Sequence, residues 1–345
     1  MPPLREALEK LLERRSLAQA EAQDLFAQLT EPGTAPALAG AILAALRMKG
    51  VVAEEVRGFA LAMRRVARRP LLPQNLRAMD VVGTGGDASG SLNISTGTAL
   101  LTAACGVPVL KHGNRSVSSR AGSADVLEEL GLTMPLDERA AGRCFAAANF
   151  TFLYAPHYHP VMHSIAPVRA ALGVRTIFNI LGPLTNPAQP PFHLIGAFSL
   201  EAATLLAQTL TGMDIERTFV VHGADGWDEP TPVGPFTLFD VRPGHFDTQV
   251  RHPQDYGLAL SSRAALAGGD ARYNARAIEA VLIEKERGAH RDCLVLGTAL
   301  ALEVCGRARR PREALECAVD AIESGAGGRV LEALGTFAQQ ERMRT

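Results

Sequence analysis

The run Asp80-Val-Val-Gly-Thr-Gly-Gly-Asp87 constrains this chain most, because a short apolar segment ends there in three glycines within four residues. An apolar run closing on glycines reads as a buried strand whose following turn lets the backbone approach a ligand closely. Two stretches follow within 50 residues: Asn93-Ile-Ser-Thr96, and the basic, hydroxyl-rich Lys111-His-Gly-Asn-Arg-Ser-Val-Ser-Ser-Arg120-Ala-Gly-Ser-Ala-Asp125. The first looks like a helix start, where unpaired N–H groups favour anions. Together the three pieces read as a phosphate cradle.

The surrounding pattern gives the fold class. From Ala78 onward, strand signals at Asp80–Val82, Val107–Leu110, Phe150–Tyr154, His193–Phe198 and Thr218–Val221 alternate with helical ones. The helices fit Ser95–Cys105, Ser123–Leu130, Asp137–Ala148 and Leu200–Thr211. Such alternation predicts an α/β fold with a mainly parallel central sheet flanked by helices. Phe236–Val241 and Phe246–Val250 read as a hairpin, and the chain after Asp270 reads as helical, with a hinge at Gly325–Gly328. Residues 4–68 read as a small helical unit, with Ser16 as a helix cap, a helix over Ala35–Lys49 ending at Gly50, and a last helix over Glu54–Arg69. The cluster Arg64, Arg65, Arg68 and Arg69 suits the negative end of that last helix. Pro70-Leu-Leu-Pro73 marks the boundary, giving a helical domain over 1–72 and an α/β domain over 73–345. Part of 159–188 interrupts the alternation and is expected to join the helical domain in space.

Composition excludes several partners. Lysine plus arginine number 35 against 36 acidic residues, so no overall field draws nucleic acid or an anionic membrane. No apolar run approaches the roughly 18 residues that span a bilayer, and no secretory signal is visible. The five cysteines are scattered without CxxC spacing, which favours a cytoplasmic setting over a disulfide framework or zinc site.

Gly83-x-Gly85-x-x-Ala88 formally satisfies the dinucleotide fingerprint. The helix opens too late for that use, near Asn93–Ser95, and Lys111-His112 stands where an acid should meet a ribose hydroxyl. A Walker A loop fails for lack of G-K-[ST]. A diphosphate cradled by the Gly83–Gly86 backbone, the Asn93–Thr96 helix start, Lys111 and the loop donors Asn114, Ser118, Ser119 and Ser123 uses every piece. Asp228-Glu229, at the end of a later strand, suits open Mg²⁺ ligation together with the Ser95 hydroxyl and Asp87. On a helix His159 and His163 would share one face, but no third zinc ligand stands near, so a pocket or structural role is expected. Arg169 is a candidate clamp for a substrate carboxylate, against an ordinary surface ion pair.

Through these strings and through Leu46-Arg-Met-Lys-Gly50, Tyr158-His-Pro160, Pro167-Val-Arg169, Phe178-Asn-Ile-Leu-Gly-Pro-Leu-Thr-Asn-Pro187 and Asp225-Gly-Trp-Asp-Glu229, the chain resembles the anthranilate phosphoribosyltransferases, of the nucleoside phosphorylase-like class. The resemblance implies transfer of ribose 5-phosphate from phosphoribosyl pyrophosphate to anthranilate with release of pyrophosphate, in tryptophan biosynthesis. It also implies a homodimer paired through the helical domain. Carried over by position, Gly83, Gly86, Asp87, Ser91, Asn93, Ile94, Ser95, Thr96, Lys111, His112, Gly113, Asn114, Arg115, Ser116, Val117, Ser118, Ser119 and Ser123 would contact the donor. Gly83, Asn114, Arg169 and His159 would contact anthranilate, and Ser95, Asp228 and Glu229 would hold Mg²⁺. No obligatory acid or base is implied. Val51, Leu92, Trp227 and the segment Pro230–Pro235 depart from the family's pattern, which bears on the acceptor more than on the donor or the metal. A paralogue that binds nucleic acid or takes another aminobenzoate, or a pyrimidine nucleoside phosphorylase, would share the architecture. The nucleic-acid binder should lack the acidic pair, and the nucleoside phosphorylase should differ around Lys111.

Overall fold

The structure is a computed structural model that describes residues 4–87, 89–115 and 120–344. It opens on helices α1 (Leu4–Leu12), α2 (Gln19–Leu29), α3 (Pro36–Lys49) and α4 (Ala53–Arg65). The alternating part begins with β1 (Met79–Gly83), α5 (Ile94–Ala104), β2 (Val109–Gly113), α6 (Ser123–Glu129), α7 (Glu138–Ala148) and β3 (Phe150–Tyr154). Short α8 (Ala155–Tyr158) and α9 (Met162–Leu172) interrupt it before β4 (Phe192–Gly196), α10 (Leu200–Leu210) and β5 (Arg217–His222). The hairpin β6 (Phe236–Arg242) and β7 (His245–Arg251) precedes α11 (Ala271–Leu282), α12 (Ala289–Val304), α13 (Pro311–Glu323) and α14 (Ala326–Arg342).

The strands form one seven-stranded sheet in the order β3-β2-β1-β4-β5-β6-β7. β1 to β5 run parallel and the hairpin adds antiparallel strands at one edge. Both faces are covered, as the near-continuous apolar strands require. Met79, Val81, Leu194 and Phe219 face a core built with α5, α12, α13 and α14. Val82, Ile195 and Val220 face the opposite core, which holds α10 and the N-terminal helices. Ile165, Ile177, Phe178, Ile180, Leu181 and Leu184 join that second core. β1 has β2 on one side and β4 on the other, so the chain reverses direction across the sheet at β1. A crevice opens beyond the strand carboxyl ends at such a point.

Several local expectations change. Ser16 does not cap α2; Ala18 does, and its N–H is answered by Glu21 Oε2 at 2.7 Å. A carboxylate three residues inside the helix thereby replaces the hydroxyl cap. Gly50 takes the positive φ expected of it, +84°. α4 stops at Arg65, and Arg64 is buried with its Nε donating to the Leu184 carbonyl at 2.6 Å. It therefore joins elements rather than a solvated arginine cluster. His159 and His163 do not share a helix, because Pro160 follows His159 and separates α8 from α9. At the last hinge Gly325 alone is the left-handed break, while Gly327 and Gly328 lie inside α14.

Candidate active site

The carboxyl ends of β1, β4 and β5 converge on one loop. Gly83 and Gly196 are register partners across β1 and β4, and the Thr84 N–H donates to the Gly196 carbonyl at 2.9 Å. Past β5, a tight turn at Ala224–Gly226 brings Asp228 back over both glycines. Its Oδ2 accepts from the Gly85 N–H at 2.6 Å. The closeness demands glycine: a Cβ on Gly196 would lie 1.5 Å from the Asp228 carbonyl oxygen, and one on Gly83 would lie 2.6 Å from its Oδ2. Gly85 and Gly86 both take positive φ, +69° and +77°, which turns the loop out of the strand.

Charge concentrates here. Asp228 is buried, and burial followed by the neighbouring Asp87 carboxylate pushes its acid up to about 7. Glu229 is raised well above the usual carboxylate range, first by burial and then by Asp228. Its Oε1 accepts from the Ser95 N–H at 3.1 Å, in the first turn of α5. Lys111 reaches from β2 to the Val81 carbonyl at 2.6 Å and to Ser95 Oγ at 3.2 Å. Burial lowers its ammonium, while Asp80 and Glu229 oppose that shift. Oxygen donors from Ser95, Asp228 and Glu229 thus share one place with too little positive charge to balance the acids. Among the described residues no three His, Cys, Asp or Glu side chains form a metal cluster by themselves. A hard cation that keeps waters and takes phosphate oxygens fits such a set.

Beside it lies a buried polar network. Asp80 accepts from the His112 N–H at 3.1 Å and from Asn186 Nδ2 at 2.9 Å, and burial pushes its acid up to about 6. Asn186 Nδ2 also donates to the Leu110 carbonyl at 2.7 Å. The His112 and His159 rings meet edge to face at 5.1 Å, and burial lowers them to about 3 and about 4. Both imidazoles are neutral at ordinary pH.

The other predicted positions divide. Asn93 caps α5, Ser123 opens α6, and Ile94 and Thr96 are buried in the first turn of α5. Ser91 lies beside Ser89, oxygen to oxygen at 3.0 Å, and Gly113 ends β2. Asn114 Oδ1 accepts from the Arg115 N–H at 2.7 Å. Arg115 itself is drawn to Asp125 at 2.8 Å and to Glu128, both on α6. Ser116, Val117, Ser118 and Ser119 lie outside the described residues. Arg169 sits half-buried over the Phe178 ring at 5.1 Å and its guanidinium has no hydrogen bond or ion pair among the described residues, so the surface ion pair weighed for it is not found. A cleft of about 740 Å³ lies between α11 and the start of α12, lined by residues such as Arg272, Arg276 and Arg291. None of the residues in its wall is among those predicted for substrates.

Comparison with known proteins agrees with this geometry. Residues 5–67 match the helical bundle domain of a glycosyl transferase family, and residues 75–327 match that family's a/b domain. The anthranilate phosphoribosyltransferase of Rubrobacter xylanophilus is 44% identical over 329 residues, 95% of this chain and 96% of the relative. The chain belongs to the anthranilate phosphoribosyltransferase family. Among solved structures, the Thermus thermophilus enzyme superposes with a TM-score of 0.90 at 37% identity, covering 96% of this chain and 99% of that one. The Saccharomyces cerevisiae enzyme in complex with PRPP and Mg gives 0.88 at 26% identity, covering 98% of each. The yeast enzyme has also been solved with 4-fluoroanthranilate.

Within this family's architecture, some contacts have no local sequence signal. Arg175 donates to the Gly86 carbonyl, lies over the Phe198 ring at 4.0 Å, and has its own carbonyl held by Arg47 of α3 at 2.7 Å. It joins the glycine loop to the helical bundle. Asn186 and Asp80 are likewise invisible as a pair, although Asn186 lies in the quoted Leu-Gly-Pro-Leu-Thr-Asn-Pro string. Trp227, which departs from the family's pattern, lies inside the protein. It is 1% exposed, packs in the core shared with α12, and carries the Arg263 guanidinium 5.6 Å from its ring centre. Leu92 is buried in the same core, and Val51 packs against the opposite one.

Proposed function

We propose that this chain transfers the 5-phosphoribosyl group of phosphoribosyl pyrophosphate to the amine of anthranilate, releasing pyrophosphate in tryptophan biosynthesis. One observation carries the assignment: the Gly83–Asp87 loop is joined to the acidic pair through the Gly85–Asp228 hydrogen bond, beside Lys111 and the N-terminus of α5. Diphosphate and metal sites are thereby one site. The yeast relative, solved with PRPP and Mg and with 4-fluoroanthranilate, supports the same donor and class of acceptor.

Ser95, Asp228 and Glu229 would hold Mg²⁺, which when bound supplies electrostatic neutralisation of the departing diphosphate. Donor contacts come from the backbone at Gly83 and Gly86, from Asp87, Ser91 and residues 93–96, and from Lys111 through Ser119 with Ser123. The glycine-loop backbone and the positive end of the α5 dipole would face charge that grows as the glycosidic bond breaks. Positive charge grows on the ribose meanwhile, as in other glycosyl transfers. Arg169, over the Phe178 ring and without an ion pair among the described residues, presents a guanidinium that matches a carboxylate bidentately. Gly83, Asn114 and His159 complete the acceptor's surroundings, and the neutral His112 and His159 imidazoles do not repel the positive charge growing on the ribose. An aromatic amine is a free base near neutral pH. Holding it within about 3.5 Å of the anomeric carbon supplies much of the acceleration.

The helical domain spans 1–72 and is completed by α9 and the 177–184 segment, which share its core, while 73–345 form the α/β domain. A cytoplasmic homodimer paired through the helical domain accompanies this function; Leu12 and Met48 stand 61% and 76% exposed on α1 and α3. No described helix is long and apolar enough to cross a membrane. The test is direct. Purified protein with phosphoribosyl pyrophosphate and Mg²⁺ should consume anthranilate fluorescence. No loss under any metal condition would refute the assignment, and preference for a substituted aminobenzoate would reassign the acceptor.

A further inference from the structure

Asn274, on the inner side of α11, is 2% exposed and lies far from any charged ligand group in sequence. Its amide orientation is fixed by its neighbours: Oδ1 accepts from the Gly269 N–H at 2.8 Å, so Nδ2 faces Asn93 Oδ1 at 2.7 Å. The Asn93 amide is fixed in turn, because its Nδ2 donates to the Ala121 carbonyl at 3.1 Å. Ala121 immediately precedes the cap of α6, and Asn93 is the cap of α5, whose first turn carries Ser95. Two amides in series, Asn274 buried and Asn93 half-buried, therefore tie the N-termini of α5 and α6 to α11.

The same residue secures a second segment. The Gly269 N–H and carbonyl both bond Asn274, and the adjoining chain pairs with the donor loop. The Gly268 N–H donates to the Gly90 carbonyl at 2.8 Å, the Leu92 N–H donates to the Leu266 carbonyl at 3.2 Å, and Ser91 bridges Ala267. The fit is tight, since a Cβ on Gly268 would lie 2.3 Å from the Ser91 carbonyl oxygen. One side chain thus holds the 89–92 loop through this strap and both helix N-termini through Asn93.

We propose that Asn274 is a positioning residue for the phosphoribosyl donor, acting through Asn93 to hold the α5 and α6 N-termini in register with the glycine loop. It touches no substrate. The inference rests on the donor assigned above, and the experiment separates the two. Asn274→Asp keeps the acceptor for Gly269 but sets an oxygen against Asn93 Oδ1; Asn93→Ala keeps both strap bonds and removes the link from the other side. Binding of phosphoribosyl pyrophosphate with Mg²⁺ is measured by calorimetry without acceptor, beside both KM values and Tm. The expected result is donor binding about tenfold weaker in each variant, about 1.4 kcal/mol, with anthranilate KM within twofold of the parent. The double variant should be no worse than Asn93→Ala alone, because residues acting in one chain are not additive. Donor affinity unchanged in Asn274→Asp, or effects of the two substitutions that multiply, would overturn the inference. Should Asn274→Asp lower Tm too far for binding, Asn274→Ala, which removes the Asn93 link without setting an oxygen against it, decides by the split between donor and acceptor KM, an unchanged donor KM overturning the inference. A parent protein that binds no donor would instead remove the functional assignment, and this inference with it.

Discussion

Gly196→Ala tests the site at the point where backbone, acid and glycine loop are closest. Gly196 ends β4 between Gly83 of β1 and Val221 of β5, so both strands hold its position. A Cβ there would lie 1.5 Å from the Asp228 carbonyl oxygen and 2.5 Å from the carbonyl carbon. Ordinary contact begins at 3.4 Å, so the backbone at Asp228 must retreat by 3.4 − 1.5 = 1.9 Å. The Gly85–Asp228 bond, now 2.6 Å, does not survive that displacement. Overpacking of this kind costs about 1–3 kcal/mol of stability, and a misplacement near 1 Å costs about a hundredfold in rate. The variant should therefore stay folded while kcat/KM for the donor falls at least a hundredfold, and saturation should demand far more Mg²⁺. Gly335→Ala in α14 is the control, because nothing lies within 4 Å of its added Cβ; it should be neutral or stabilise by about 0.5–1 kcal/mol. Gly196→Ala with kcat/KM within threefold of the parent and an unchanged Mg²⁺ response would show that the loop's position does not matter.

Asp228 keeps its proton to about pH 7 when folded, against an ordinary value of 3.8, so the native state binds more protons across that window. Metal-free stability should accordingly fall as pH rises from about 4 to 7 and level off above, with Mg²⁺ raising Tm more at pH 8 than at pH 5. Melting in chelator and in Mg²⁺ checks this, and Asp228→Asn should flatten the slope; an unchanged slope would place the titration elsewhere. Arg169→Ala should raise the anthranilate KM tenfold or more while the donor KM holds, at a stability cost of about 0.5–1 kcal/mol from its place over Phe178. An unmoved acceptor KM in the fluorescence assay would take Arg169 out of the site. Asn186→Ala strips buried partners from Asp80 and from the Leu110 carbonyl, and urea unfolding should register a loss of about 2–4 kcal/mol. A loss below 1 kcal/mol would mean that the network re-pairs without it.

What the sequence makes legible is what local chemistry decides. β3 falls on Phe150–Tyr154 as expected, and β1, β4 and β5 differ by one or two residues, because each is an apolar run cut off by glycine or polar residues. The apolar pattern places β2 two to three residues early: the run ends at Leu110, but the paired backbone continues through Lys111 and His112 to Gly113. No apolar pattern marks a strand whose last side chains are polar and buried. The late start of α5 is legible at Asn93 and its hydroxyl neighbours, and it separates this loop from a dinucleotide turn. Strand order is not legible, since nothing local says that β1 lies between β2 and β4. Arg64 misleads for the same reason: a basic residue near a helix end suits solvent or a buried carbonyl equally until Leu184, 120 residues on, is in place. Asn274 and Asn93 are 181 residues apart, and Arg175 and Gly86 are 89 apart. Short polar side chains announce no partner.

On the proposed function, the distribution of charge favours positioning over proton transfer at this site. His112 and His159 are the bases one would look for, yet burial holds them at about 3 and about 4, too weak to take a proton at neutral pH. The groups raised toward neutrality, Asp228 and Glu229, are committed to the Gly85 and Ser95 backbone N–H groups. Those bonds draw the glycine loop and α5 toward one another, so the acids that would bind the cation also fix the glycine loop relative to α5. Folding pushes these acids together against their repulsion, a cost that a bound cation relieves. An aromatic amine needs no base to attack, which leaves geometry as the main variable under the protein's control. Substitutions that move backbone at Gly196 or unfix Asn93 should therefore reduce donor use more than loss of any single donor hydroxyl. A Ser91→Ala variant more damaging than Gly196→Ala would contradict that ordering.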